Sequence, residues 1–143
     1  MDITIREVEE KDYSDELSIW NSVFNCKHTI EKIIAYYDKI KNDERYKTFV
    51  AVLDNEVVGV CSSVQSITLA DEVGFIHLIG IAVKNEMQNK GIGTKLLKYL
   101  EEYAKEKGVN SILLNTGIQR TDAHRFYKRH GYDNHSWCFS KKL

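Results

Sequence analysis

The chain has 143 residues, 43% of them apolar, and a formal net charge of −1 at pH 7, which suits one globular domain with its own core. It contains no apolar run of 18 residues and no basic, apolar leader, so neither a membrane span nor a secretory signal is expected. The near-neutral charge argues against a general nucleic-acid binder. Three widely spaced cysteines argue against a disulfide framework and favour a reducing, cytoplasmic location.

Charge is divided unevenly along the chain. Residues 1–80 carry 15 acidic and 8 basic side chains, a net charge of −7, whereas residues 81–143 carry 6 acidic and 12 basic ones, a net charge of +6. This division suits a cationic ligand on the N-terminal half and an anionic ligand on the C-terminal half.

The first half of the chain predicts one strand, two helices and a β-hairpin. Alternation of apolar and polar residues indicates the strand, and apolar stripes at helical spacing indicate the helices. Two β-rich runs separated by three polar residues indicate the hairpin. The predicted elements are a strand at residues 2–6, a helix from Asp12 or Ser14 to about Asn25, a helix that begins at Thr29, and strands at Thr48–Leu53 and Val57–Val64.

The second half predicts strands that alternate with helices. The nearly continuous apolar run Val73–Val83 is typical of a central strand buried on both faces. An amphipathic helix closed by Gly108 follows, then a buried strand at Ser111–Asn115, a short helix at Thr121–His130 and a final strand or hairpin within Tyr132–Leu143. The order β-α-α-β-β-β-α-β-α-β predicts a single α/β domain over residues 1–143, with a mixed central sheet flanked by helices.

The turn after the apolar strand contains the sequence Gln-Asn-Lys-Gly-Ile-Gly-Thr at residues 88–94. Glycine lets the backbone approach a ligand closely, and the N–H groups at a helix start favour an anion such as pyrophosphate. A dinucleotide fingerprint is excluded because Leu96 occupies its third glycine position, and the spacing of a P-loop is absent. A strand-to-helix turn that needs glycine only for its geometry remains the alternative.

Two segments together resemble the signatures of the GCN5-related N-acetyltransferases, the GNAT family. The pattern Gln-x-x-Gly-x-Gly at residues 88–93 resembles the family's motif A, and Ala-x-x-Phe-Tyr-x-x-x-Gly-Tyr at residues 123–132 resembles its second signature. The predicted order of elements agrees with that fold over essentially the whole chain. The resemblance implies a GNAT-like domain that transfers acetyl from acetyl-CoA to a primary amine by direct attack in a ternary complex.

The resemblance also implies where acetyl-CoA binds. Backbone amides of the glycine turn hold the pyrophosphate, the pantetheine pairs with the end of the central strand, and the next strand, which ends at Asn115, splays away to leave a slot. Arg120 stands where the family usually has asparagine, and its guanidinium suits a phosphate or an acidic substrate group. The implied contacts are Ile81, Ala82, Val83, Gln88, Asn89, Lys90, Gly91, Ile92, Gly93, Thr94, Asn115 and Arg120.

Acetyl transfer requires a proton acceptor for the amine and benefits from a proton donor for the leaving thiolate. The second signature indicates Tyr127 as the acid, with core packing as its alternative role. His77, the one ionisable side chain of the apolar strand, is the candidate base, with a hydrogen-bonded core histidine as the alternative. Glu72 and Asp71 are weaker candidates for the base. No spacing of histidines predicts a metal site.

The sequence does not name the acceptor amine. A small molecule is favoured because no recognition domain is appended. The segment Arg120–Tyr127 resembles the corresponding segment of aminoalkylphosphonate acetyltransferases, which suggests an aminoalkylphosphonate-like amine as the second candidate for the substrate. A non-catalytic acyl-CoA-binding module would need neither Tyr127 nor His77 and remains the alternative function. The resemblance further implies a homodimer. Residues expected near the acceptor are Trp20, Phe24, His28, Tyr36, Asp133, His135 and Trp137.

Overall fold

A five-stranded sheet lies at the centre of the fold. The computed structural model describes all 143 residues, and none of its helices has the length and apolar character of a membrane span. The elements are β1 (Thr4–Glu7), α1 (Tyr13–Phe24), α2 (Ile30–Ile40), β2 (Tyr46–Leu53), β3 (Glu56–Ser66), β4 (Phe75–Val83), α3 (Ile92–Glu106), β5 (Ile112–Leu114) and α4 (Thr121–Arg129), with 3₁₀ helices at Glu10–Asp12 and Asn85–Met87.

The strands are arranged in the order β1-β2-β3-β4-β5. The pairs β1–β2, β2–β3 and β3–β4 are antiparallel, and α3 connects β4 to β5 as a crossover, the connection that parallel neighbours require. The predicted α/β class with a mixed sheet and flanking helices is therefore confirmed. The chain forms two compact units, Met1–Leu113 and Leu114–Leu143.

Local sequence signals explain where the helices and strands in the first half of the chain begin and end. The side chain of Thr29 caps α2 by accepting the Lys32 N–H at 3.3 Å, and Asn25 ends α1 in the left-handed conformation with φ of 53°. Asp54 and Asn55 form the tight turn between β2 and β3 with φ of 50° and 64°. The predicted hairpin thus forms without glycine, because Asp and Asn tolerate positive φ.

The two faces of the sheet are covered by different helices. Ile19 of α1 packs with Val60 and Ala82 on one face. On the other face α3 buries its apolar stripe completely, and it lies so close to β3 that a Cβ on Gly59 would be 3.0 Å from Leu96 Cδ1. The lack of a side chain at Gly59 therefore lets the first turns of α3 pack closely against β3.

Strand β4 contains a bulge that the apolar pattern did not predict. Ser62 of β3 lies opposite Gly80, whereas the next residue of β3 lies opposite Leu78, so Ile79 is an extra residue on β4. One extra residue reverses the alternation of the side chains that follow. Gly80 accordingly faces α1, where a Cβ on it would be 2.9 Å from Cη2 of Trp20.

Burial departs from prediction at four places. Ile79 is 47% exposed at the bulge, so β4 is not buried along its whole length, and Leu113 in the predicted buried strand β5 is 43% exposed. The apolar spacing in α2 predicts a buried stripe of Ile30, Ile33, Ile34 and Tyr37, but only Ile33 and Tyr37 are buried, whereas Ile30 is 38% and Ile34 is 42% exposed. The segment Tyr132–Leu143 has no strand, and residues 133–143 are all exposed. An alternating segment becomes a strand only where a neighbour completes its hydrogen bonds, and here none does.

Candidate active site

The turn between β4 and α3 is held in place by hydrogen bonds from two side chains that precede its glycines in the sequence. Gln88 donates from Nε2 to the Val83 carbonyl at 3.1 Å and to Oδ1 of Asn85 at 3.3 Å. Asn85 in turn donates to Oγ of Ser22 in α1 at 2.9 Å. The predicted ligand contact Gln88 therefore holds the turn against the end of β4, and Asn85 holds it against α1.

The start of α3 provides open backbone for a ligand. Gly91 is its N-cap residue with φ of 82°, and a Cβ built there would meet no atom within 4 Å. Ile92, only 1% exposed, anchors the first turn in the core. The N–H groups of Ile92 and Gly93 have no partner within the helix, and the helix dipole adds partial positive charge. This arrangement suits an anion that approaches the backbone closely.

Lysine side chains around this turn fall into two groups. Lys84 forms ion pairs with Glu56 and Glu86, which raise the pKa of its ammonium group. Lys90 and Lys95 are exposed beside Gly91 and form no ion pair with a carboxylate. The positive charge available to an anion at the start of α3 therefore comes from Lys90 and Lys95.

The end of β4 brings the predicted strand contacts together with this turn. Ala82 is 4% exposed and packs on the α1 side, while Ile81 and Val83 are half-buried. The backbone then passes directly into the turn, and the Lys84 N–H donates to the Val58 carbonyl at 2.9 Å. Residues 81–83 and 88–94 thus lie close together along the chain in the first unit, from the end of β4 to the first turn of α3.

The candidate base lies on the α1 side of the sheet. His77 is half-buried on β4 and lies opposite Val64. Since Val64 and Ser62 share a face of β3, and Ser62 lies opposite Gly80, His77 and Gly80 share that face as well. In a regular strand two residues three apart would face opposite sides. The bulge therefore places His77 on the same face of the sheet as Gly80 and Ala82, the face on which Ile19 of α1 packs.

A buried carboxylate on the α1 side of the sheet was not predicted from the sequence. Glu16 of α1 is 3% exposed. It accepts a hydrogen bond from Nε1 of Trp20 at 3.0 Å, and the Tyr37 hydroxyl lies 2.8 Å from both of its oxygens. Burial raises the pKa of Glu16 above its ordinary value, and both hydrogen bonds oppose that rise. The available signal was its spacing, because Glu16 continues the helical stripe of Ile19, Trp20 and Val23.

The raised pKa of Glu16 has a direct consequence for stability. The folded state holds the proton of Glu16 more tightly than the unfolded chain does. The contribution of Glu16 to the free energy of unfolding therefore falls as the pH rises from its unfolded pKa of about 4.5 through its higher folded pKa. We expect the free energy of unfolding of Glu16→Gln, relative to the wild type, to increase from pH 4.5 to pH 8. Urea titrations across this range measure it, with the exposed Glu31→Gln as the control for loss of charge. A difference that stays constant with pH contradicts the prediction.

Tyr127, Arg120 and Asn115 belong to the second unit. Tyr127 of α4 is half-buried, and its ring lies 5.3 Å from that of Phe126 and 5.8 Å from that of Tyr132. Arg120 is exposed at the N-cap of α4, and Asn115 is exposed directly after β5. Tyr127 therefore takes part in aromatic packing within its own unit.

Comparison with known proteins places this geometry in a family. Residues 10–132 match the sequence profile of the Acetyltransferase (GNAT) family. Over 96 residues the chain is 38% identical to an aminoalkylphosphonate N-acetyltransferase of Salmonella typhimurium, which covers 66% of this chain and 61% of that protein. Over 129 residues it is 33% identical to an uncharacterized N-acetyltransferase of Methanocaldococcus jannaschii, which covers 90% and 76% of the two chains.

A solved structure shows the same fold. An aminoglycoside acetyltransferase from an uncultured soil metagenomic sample superimposes with a TM-score of 0.86 at 23% identity, and the match covers 99% of this chain and 96% of that one. The protein belongs to the GNAT family of acetyltransferases. It spans about three fifths of the length of the Salmonella relative.

Proposed function

We propose that the protein is an acetyl-CoA-dependent N-acetyltransferase that transfers acetyl to the primary amine of a small molecule by direct attack in a ternary complex. The observation that carries this proposal is the start of α3. There Gly91 leaves open space, and backbone N–H groups emerge beside the end of β4. Membership of the GNAT family supports the same cofactor and reaction class.

Acetyl-CoA fits this part of the first unit in two respects. Its pyrophosphate suits the N–H groups of Ile92 and Gly93, with Lys90 and Lys95 near in sequence to neutralise charge. Its pantetheine has an amide backbone that pairs with a strand, and β5, with three residues, is too short to pair with all nine residues of β4. Arg120 and Asn115, which belong to the second unit, are proposed as contacts on the family resemblance alone.

The chemistry assigns one role to each proposed catalytic group. The ammonium group of the acceptor loses a proton to His77, directly or through water, and the free amine then attacks the thioester carbonyl. A backbone N–H near Val83 donates to the oxygen that becomes negatively charged. The carbon–sulfur bond breaks, and the Tyr127 hydroxyl protonates the departing thiolate. The second proton of the attacking nitrogen passes to solvent, and solvent returns a proton to Tyr127. The products are the N-acetylated amine and coenzyme A.

Charge and relatedness each support a small acceptor that carries an ammonium group. The net charge of −7 over residues 1–80 favours an ammonium group there. The Salmonella relative acts on aminoalkylphosphonates, and an exposed Arg120 offers a guanidinium that suits a phosphonate. An aminoalkylphosphonate is therefore the second candidate substrate.

Thermal unfolding with and without acetyl-CoA tests the cofactor. At a hundredfold excess over Kd, binding to the native state adds about 2.7 kcal/mol, which raises Tm by roughly 5–10 °C for a chain of this size. ADP serves as the control for the adenosine diphosphate part of acetyl-CoA. An unchanged Tm at millimolar acetyl-CoA contradicts the proposal.

A panel of primary amines that includes aminoalkylphosphonates then tests the reaction by release of the coenzyme A thiol. Turnover supports an acetyltransferase and names the amine. A clear rise in Tm without thiol release from any amine would favour the acyl-CoA-binding module instead.

A further inference from the structure

A chain of contacts connects a buried carboxylate in α1 to the bulge in β4. Glu16, almost fully buried, accepts the indole N–H of Trp20 at 3.0 Å. The far edge of that indole lies over Gly80, where a Cβ would be 2.9 Å from Cη2 and 3.2 Å from Cζ3. Gly80 is the residue at which the register between β3 and β4 shifts. The indole of Trp20 therefore packs over the bulge, and Glu16 fixes the orientation of that indole.

The carboxylate itself is held from a second helix. The Tyr37 hydroxyl of α2 lies 2.8 Å from each oxygen of Glu16, and the Tyr37 ring stacks on Tyr13 with centroids 4.4 Å apart and planes 9° from parallel. Any movement of Glu16 away from Trp20 would leave a buried carboxyl group with fewer hydrogen-bond partners, which is costly. The acceptor for the indole N–H is consequently fixed in place.

The bulge determines which way the end of β4 faces. Side chains alternate along a strand, so removal of the extra residue Ile79 from the pairing would turn Gly80 and all later residues of β4 to the opposite face. That later segment, Ile81–Val83, is the part of β4 assigned to acetyl-CoA and to the oxyanion in the proposed function.

We propose that Glu16 is a positioning residue for acetyl transfer, which acts through the indole of Trp20 on the bulge at Gly80 and so sets the backbone of Ile81–Val83. This inference rests on the proposed function. Glu16 forms no bond to the reacting groups in this role. Its loss lowers kcat because the acetyl carbonyl and its N–H donor are misaligned. Acetyl-CoA affinity falls much less than kcat, because only the pantetheine contacts at Ile81–Val83 are disturbed and the pyrophosphate contacts lie in the turn beyond Val83.

The test compares variants that remove or keep an acceptor for the indole. For Glu16→Leu, assayed well below its Tm, we expect kcat to fall at least tenfold while the Kd of acetyl-CoA changes less than threefold. Glu16→Gln keeps an oxygen for Trp20 and restores kcat to within threefold of the wild type. Trp20→Phe lowers kcat like Glu16→Leu, and the double variant loses no more than either single one, because the two residues act in series.

Asp12→Asn is the matched control. Asp12 is a buried carboxylate at the start of the same helix, 4% exposed. It accepts from Arg6 of β1 at 2.6 and 2.9 Å and from the Glu9 N–H at 2.8 Å, so it holds the opposite edge of the sheet. We expect Asp12→Asn to lower Tm and leave kcat within twofold.

The outcomes separate this inference from the proposed function. A wild type that binds acetyl-CoA and turns over amine, with kcat unchanged in Glu16→Leu, overturns the positioning role alone. Additive losses of kcat in the double variant, or an equal loss in Asp12→Asn, overturn it as well, since they indicate a general effect of destabilisation. A wild type with neither a Tm shift nor thiol release overturns the proposed function and, with it, this inference.

Discussion

Tyr127→Phe should abolish most turnover and leave acetyl-CoA binding unchanged. The substitution removes one hydroxyl and keeps the ring that packs against Phe126 and Tyr132, so α4 should fold as before. If the hydroxyl protonates the departing thiolate, its loss removes general acid catalysis, an effect of about 10²- to 10⁴-fold. We therefore expect kcat to fall at least 100-fold, measured by thiol release, with the acetyl-CoA-dependent rise in Tm preserved.

Tyr132→Phe provides the control for this prediction. Tyr132 belongs to the same signature and its ring contacts that of Tyr127, so its variant makes the same chemical change in the same aromatic group. We expect its kcat to stay within twofold of the wild type. If Tyr127→Phe retains full turnover, or if both variants lose activity together with Tm, Tyr127 has the packing role that the alternative interpretation gave it.

The sequence predicted the order of the elements well, because their signals are local. The cap at Thr29, the left-handed ends at Asn25 and Gly108 and the apolar stripe of α3 are each encoded by a few neighbouring residues. The predicted strand within Tyr132–Leu143 was wrong, because pairing depends on a neighbouring strand, which the alternation of Trp137, Cys138 and Phe139 alone cannot supply.

The site shows the same division between local and long-range information. The glycine turn could be located from sequence because its proposed function depends on consecutive backbone groups. The bulge at Ile79 could not be predicted, since it is defined by the register with β3, and Gly80 was its only sign. Glu16 was missed for a related reason. An acidic residue in an apolar stripe becomes meaningful only when its partners Trp20 and Tyr37 are known to surround it.

Gly91→Ala should weaken acetyl-CoA binding at least tenfold, about 1.4 kcal/mol. Gly91 has φ of 82°, and a Cβ there meets no protein atom within 4 Å, so within the protein the substitution introduces only backbone strain, about 1–2 kcal/mol. In the complex, however, the new methyl group would occupy the space in which the pyrophosphate approaches the N–H groups of Ile92 and Gly93. Calorimetric titration with acetyl-CoA measures the change.

Gly108→Ala separates strain from contact with the ligand. Gly108 ends the same helix with φ of 74°, and a Cβ there also meets nothing within 4 Å. Both variants should therefore lose similar stability in urea, and only Gly91→Ala should lose affinity. If the two bind acetyl-CoA equally well, the glycine at the start of α3 serves the geometry of the turn alone, and the pyrophosphate must be sought elsewhere. A loss confined to Gly91→Ala assigns the open space beside α3 to the cofactor, because every other effect of the substitution is reproduced at the far end of the helix.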